Sequence, residues 1–252
     1  CEFRDDALYD QLSVWGDLCG RDAMGAFDDL CRGADLAGER VGLEAPDYYL
    51  NPFRYQYIVT KLSECRLQDS TKLAYDVRLV KSPREQEVIR RASHIADQAM
   101  YTFCNQLQEG RSELELVGAI YDTILCHGGD QPASPINLSA GARGAHSHGR
   151  PSERPFACPD FGCVEYAAPY HSYPASIGRQ FSIGAPTKRQ QYVYEVTLGA
   201  ADACIAAIKP GVSASEPFHA ARKVLDQAGL AAFRVHTIGY CLVPAFPPAT
   251  GG

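Results

Sequence analysis

Methionine and tryptophan are nearly missing from this chain, with two Met and one Trp in 252 residues. No apolar run approaches the roughly 18 residues that a bilayer-spanning helix needs, so no membrane segment is expected. There is no excess of basic residues either: 24 Lys and Arg stand against 30 Asp and Glu, for a net charge of −6. A nucleic-acid binder shows the opposite, a basic face that displaces counterions from phosphate, so nucleic acid is not the expected partner. None of the ten cysteines falls in a C-x-x-C pair, which removes the redox and zinc-ribbon patterns. They are scattered, several on apolar helix faces, and read as buried or incidental thiols of a reducing, cytoplasmic setting. A disulfide framework is the alternative, but a chain this long has no need of one. Ser176, in Pro174-Ala175-Ser176-Ile177-Gly178, lacks the first Gly of a G-x-S-x-G elbow. Gly141, Gly144 and Gly149 match neither the dinucleotide nor the phosphate-loop spacing. No secretory leader is visible. Cys1 in first place and a loop-like end at Ala249-Thr250-Gly251-Gly252 lead us to expect that both ends are cuts in a longer protein.

What is present is a set of helix signals. Val41 to Glu44 reads as a short strand, Asn51-Pro52 as a helix start, and Leu67 to Leu73 as a strand and turn. Ser82-Pro83-Arg84-Glu85 combines an N-cap hydroxyl, a Pro at the first helical position and a Glu that can return a bond to the cap. Behind it Val88, Ile89, Ala92, Ile95, Ala96, Ala99, Phe103 and Leu107 fall on one helical face. Gly110 stops that helix, and Ser112-Glu113-Leu114-Glu115 opens a second one. The plan recurs: a helix from about Gln190 to Lys209, a break at Pro210-Gly211, and a third capping box at Ser213-Ala214-Ser215-Glu216. Gly110 and Gly211 are 101 positions apart, and so are Ser112 and Ser213. Two copies of one helix–turn–helix order predict an internally duplicated α+β unit. Strands are expected at Pro135–Ser139, Arg179–Ile183 and Phe233–Tyr240, placing any site in a central sheet.

Several stretches carry a family resemblance. Asp76 to Glu85 holds an R-x-x-K-S-P-x-E run, and Ile208-Lys209-Pro210-Gly211-Val212 an I-x-P-G-V turn. His148-Gly149-Arg150-Pro151, Asp160-Phe161-Gly162 and Arg179-Gln180-Phe181 with Ile183-Gly184 follow in order. Ile238-Gly239-Tyr240 to Pro247-Pro248 comes last. Together they resemble the pita-bread hydrolases (creatinase, prolidase, methionine aminopeptidase), with the last motif closest to the creatinase and ectoine-hydrolase branch. The resemblance implies an α+β pita-bread fold with internal pseudo-two-fold duplication. It implies that residues 76–252 form the catalytic-type domain, incomplete at its C-terminus. Residues 1–75 would be the remnant of a small α/β N-terminal domain. It also implies a homodimer and a small-molecule or dipeptide substrate.

A metal-dependent member needs two aspartates, one histidine and two glutamates about paired divalent ions. The resemblance offers Asp160 as the first aspartate, or alternatively as the Asp of a preceding P-G-D turn. The second should follow about eleven residues on, near His171 to Tyr173, where no Asp stands. Tyr240 falls at the ligand histidine, and both glutamates would lie beyond residue 252. No cofactor is therefore expected, and Mn, Co or Zn only if a continuing chain supplied the ligands. Creatinase-type members work without metal through a histidine general acid/base. An imidazole takes and gives a proton near neutral pH, and His148 is the expected carrier. His146 is the alternative; on a strand it would share His148's face. A polar loop pair or a His-x-His metal pair remain open. Tyr170, His171, Arg179, His236 and Tyr240 are the expected substrate contacts, Arg179 through a bidentate hold on a carboxylate. The expected function is hydrolysis of a C–N bond in a small amino-acid derivative or an Xaa-Pro peptide. A catalytically dead binding or scaffold protein of the same fold is the alternative.

Overall fold

A computed structural model describes residues 22–44, 50–132, 134–146, 148–234, 239, 240 and 242. The chain divides into two compact units, Cys1–Arg78 and Leu79–Gly252. In the first, α1 (Ala23–Gly33) starts where the Asp22 carboxylate accepts the Gly25 N–H at 2.6 Å. Strands β1 (Arg40–Leu43) and β2 (Arg66–Asp69) pair in parallel, Val41 opposite Leu67. Parallel neighbours need a crossover, and α2 (Pro52–Lys61) is it, capped by Asn51 with Pro52 at the position that has no N–H to lose. Lys61 returns to α1 through an ion pair with Asp28 at 2.9 Å. Residues 71–79 form a helix, α3 (Thr71–Leu79), where a turn ending at Leu73 was expected. The Asp69 carboxylate accepts the Thr71 N–H at 2.8 Å and bends the chain into that first turn.

The second unit begins as its capping boxes require. In α4 (Pro83–Gln106) the Ser82 hydroxyl accepts the Glu85 N–H, and the Glu85 carboxylate accepts the Ser82 N–H at 2.6 Å. In α5 (Glu113–Cys126) Ser112 and Glu115 do the same. The expected apolar face of α4 is buried at Ala92, Ile95, Ala96, Ala99 and Phe103, and that of α5 at Leu116, Val117, Ile120 and Ile124. A fully buried Leu or Ile contributes roughly 1.5–3 kcal/mol, so this hairpin is held by its core face.

That face covers an antiparallel sheet in the order β3 (Asn137–Ala140), β4 (Asp160–Tyr170), β5 (Tyr173–Ile183). Side chains alternate across β4: Asp160, Gly162, Val164, Tyr166 and Ala168 are buried on the helix side, while Phe161, Cys163, Glu165 and Ala167 point to the other. β3 overlaps the expected segment at Asn137 to Ser139 and runs one residue past it. β5 is far longer than the five residues read from the sequence, and β4 was not read as a strand. Residues 166–178 are the far part of this hairpin, with Tyr170 opposite Tyr173. Phe181 completes the core, edge-on to Phe103 and Phe156 at 5.3 and 5.7 Å. Gly162 lies opposite it, where a Cβ would come within 2.7 Å of its ring.

A second helix pair follows, α6 (Lys188–Ala207) and α7 (Ser215–Gln227). The duplication is visible in the backbone: Leu107 and Ile208 end the long helices at φ −71, ψ 109 and φ −74, ψ 109, and Gly110 and Gly211 turn at φ 86 and 83. Two expectations are corrected. Helix α6 starts earlier than Gln190, because Thr187 and Gln190 form a capping box. The box at Ser213 does not close: its carbonyl takes the Glu216 N–H and its hydroxyl turns to Ser215. The expected strand at 233–240 begins instead as a 3-10 turn, Ala231–Phe233, and residues 235–238 lie outside the described residues.

Tyr166 ties sheet to helix, its hydroxyl donating to the Ala96 carbonyl at 2.8 Å. Burial raises its pKa above the ordinary value. A raised phenol pKa gives a stabilisation that is whole below pH ~10 and lost as pH climbs further. Tyr166→Phe is expected to cost about 1 kcal/mol at pH 7. Urea midpoints should fall more steeply between pH 7 and pH 11 for the natural protein than for the variant; parallel declines would contradict this.

Candidate functional site

The sheet face turned away from α4 and α5 carries Phe161, Cys163, Glu165 and Ala167 of β4. Cross-strand partners share a face, so Asn137 and Ser139 of β3 join them, with Ser176, Gly178, Gln180 and Ser182 of β5. Small and polar residues dominate, and Glu165 is exposed in the middle of a central strand. The sequence reading missed it, although the signal was there: Ser176 stands eleven residues beyond Glu165, the spacing the resemblance sets for its two aspartates. The register puts Glu165 opposite Gly178 and Ser176 opposite Ala167, making the two diagonal neighbours roughly 7–8 Å apart. Beside them, burial first and the Glu165 charge second raise the thiol pKa of Cys163.

The 3-10 turn at 141–145 packs against β3 and β4, and a buried carboxylate organises it together with residues 148–156. Glu113, the first residue of α5, is completely buried. It accepts the Ala140 N–H at 3.0 Å, the Arg143 guanidinium at 2.7 Å, and both the Ser152 N–H and hydroxyl at 2.9 and 2.8 Å. The free N–H groups of the first turn are met in return, Glu113 N–H by the Arg154 carbonyl and Leu114 N–H by that of Ser152. The short 3-10 turn Gly141–Ala145 carries Arg143, whose guanidinium also reaches the Arg150 carbonyl. Between these anchors lie His146 and His148. His148 is exposed and left-handed, at φ 55. Gly149 lies against the Ser139 hydroxyl, where a Cβ would come within 2.1 Å, and its carbonyl accepts the Leu138 N–H.

Asp160 is committed elsewhere. Its carboxylate takes Arg154 at 2.7 Å, the Ala157 N–H at 3.2 Å and the Phe161 N–H at 3.0 Å. Burial pushes its pKa up, but these donors outweigh burial and hold it below the ordinary value. Arg154 is raised by the same contact. The arrangement suits the turn reading of Asp160, five residues ahead of Glu165, better than a metal ligand. The fit of a dinuclear metal centre is poor. Asp160 already has three donors and no Asp follows it near His171 to Tyr173; with Glu165 in the first place instead, Ser176 stands at the second. No three His, Cys, Asp or Glu side chains converge among the described residues.

The expected site residues do not all come together. His146 and His148 do not share a strand: His146 ends the 3-10 turn at φ −87, and His148 is left-handed. Tyr170 and His171 sit at the tip of the β4–β5 hairpin, rings 4.4 Å apart, with His171 and Ser172 at φ 46 and 64. Gly149 bonds at the level of Leu138, opposite Val164. Six residues of strand then separate that level from Tyr170, about 20 Å, so the tip is not a wall of a small pocket around His148. Arg179 pairs with Val164, on the helix side rather than on the face of Glu165. Tyr240 is exposed, and His236 lies outside the described residues.

The profile of Metallopeptidase family M24 matches residues 87–245. The Xaa-Pro dipeptidase of Pyrococcus furiosus is 29% identical over 165 residues, covering 66% of this chain and 47% of that protein. That of Pyrococcus horikoshii is 28% identical with the same coverage. The chain thus spans about half the length of the curated relatives it matches. Among solved structures, the prolidase of Thermococcus sibiricus superimposes with a TM-score of 0.83 at 22% identity, covering 93% of this chain and 63% of that one. The Xaa-Pro dipeptidase of Bacillus anthracis gives 0.82 at 22%, covering 92% and 64%. At that identity the structures establish the fold alone, which is the pita-bread fold.

Asp160→Asn should cost roughly 2–3 kcal/mol at pH 7, below the 3–5 of a fully buried pair because the Arg154 side chain is 33% exposed. A depressed carboxyl pKa stabilises above its unfolded value near 4 and stops doing so as pH falls. The difference in urea stability between natural protein and variant should therefore shrink below about pH 4; a constant difference would refute the ion pair.

Proposed function

The chain belongs to metallopeptidase family M24, and from that premise we propose that it hydrolyses the C–N bond of an Xaa-Pro dipeptide or a similar small amino-acid derivative without a bound metal, using His148 as proton carrier. The observation that carries this reading is the committed Asp160. A carboxylate held by a guanidinium and two backbone N–H groups is a poor metal ligand, and with Glu165 in its place the second position is Ser176, which has no carboxylate. A family member without its ion pair needs another way to activate water. An imidazole serves: it takes a proton from the water that attacks the carbonyl carbon, then gives that proton to the leaving nitrogen. Glu165, on the open sheet face, suits the positive amino group of such a substrate.

The same observation favours one second reading, a pita-bread protein that binds small amino-acid derivatives and does no chemistry. Release of proline from Xaa-Pro dipeptides by the intact protein separates the two. Turnover is expected to persist in excess EDTA and to fall by at least ~10²-fold in His148→Ala. Loss in EDTA with recovery in Mn would end the metal-free reading. Undiminished turnover in His148→Ala would end the role of that residue. Binding with no turnover would favour the second reading.

A further inference from the structure

We propose that Glu113 and Arg143 are positioning residues, a buried clamp that fixes the backbone on either side of His148 and so sets where its imidazole stands. This rests on the proton-carrier reading of His148. Glu113 lies on the helix side of the unit, remote in sequence from the loop it holds, and four donors converge on its carboxylate. One is Arg143, which stands before the histidines. Two belong to Ser152, which stands after them. The segment between is fixed at three further points. The Arg143 carbonyl accepts the His146 N–H at 3.1 Å. The Arg143 guanidinium holds the Arg150 carbonyl. The Gly149 carbonyl takes the Leu138 N–H at 3.1 Å, an extra rung on the edge of β3.

His148 needs such a frame. A left-handed backbone costs a non-glycine residue about 1–2 kcal/mol, and persists only when the surroundings over-determine it. Each restraint above comes from a residue other than His148, and the Glu113 carboxylate, through Arg143 and Ser152, joins both ends of the segment to a helix. An exposed pair of this kind would contribute little. This one has a fully buried acid, so without Arg143 its charge would be met by neutral donors alone. The chemistry of proton transfer is sensitive to placement: a displacement near 1 Å can lower a rate by about 10²-fold.

Arg143→Lys in the intact protein is the test, because it keeps the charge opposite Glu113 and gives up the planar fork that spans Glu113, Ser152 and Arg150. The expected result is a kcat at least tenfold lower, KM within twofold, and a displaced His148 imidazole resonance in the NMR spectrum, measured well below Tm. Glu113→Gln should do the same more severely; if it fails to fold, the Lys variant still decides. A natural kcat in Arg143→Lys overturns the proposal. So does a rise in KM with the His148 resonance unmoved, which would make the network a support of the substrate surface instead. The resonance also separates the two claims. If His148→Ala turned over normally, the proton-carrier role would fall, while a displaced resonance in Arg143→Lys would still establish the clamp.

Discussion

A carboxylate with no access to water holds the second unit in register. Glu113 sits at the first position of α5, where the helix dipole favours a negative charge, and it draws the edge strand β3, the 3-10 turn and the loop before β4 onto one point. An uncompensated buried charge is worth several kcal/mol of penalty. The four donors therefore make a single cooperative element: removing any one weakens the case for keeping the others. The apolar contacts of Ile95, Phe103 and Ile120 hold helices to sheet but do not select a loop conformation. Hydrogen bonds with fixed directions do.

A second ion pair, Arg154 with Asp160, extends the same frame to the start of β4. The two acids and two arginines are neighbours: the Glu113 charge contributes to the raised Arg154 pKa after Asp160, and Gly141 leaves room for the Arg154 guanidinium, which a Cβ would approach at 3.0 Å. Opposite charges alternate in the order Arg143, Glu113, Arg154, Asp160, so the two inner members each face two opposite charges. Asp160 thereby does structural service at the entrance to the strand whose middle presents Glu165. A residue type that the family uses as a ligand is here part of the wall.

Local signals in the sequence were strong, and apart from the box at Ser213 the capping signals were met. Ser82 with Glu85 and Ser112 with Glu115 act within one turn, so the sequence contains both partners of each bond. The same holds for Asn51 ahead of Pro52 and for Gly110. What could not be read depends on distance. Glu113 meets partners 27 to 39 residues away, and within its own helix it looks like an ordinary acid in a first turn. β4 was hidden because Asp160 to Tyr170 mixes Gly, Ala, Glu and Pro, a poor β composition in isolation. Its strand character comes from pairing on both sides. The place of Tyr170 and His171 followed from that miss: without a long hairpin they fall beside the histidine loop, and with it they lie at its far tip.

The repeat of the helix pair explains why only one half carries this frame. Adding the 101-residue offset carries Ser112 to Ser213 and Glu115 to Glu216, so the outer parts of the box survive. It carries Glu113 to Ala214 and Leu116 to Pro217. Alanine has no acceptor to gather a distant loop. Proline has neither the side chain that fills the first core nor the N–H that would continue the ladder. The second N-terminus accordingly closes on itself, with the Ser213 carbonyl taking the Glu216 N–H at 3.0 Å. Its N-cap residue, Ala214, makes no side-chain bond. Two halves that share helix order and turn torsions thus differ at the one position where a buried acid changes a hairpin into an anchor. The histidine loop belongs to the half that kept the acid.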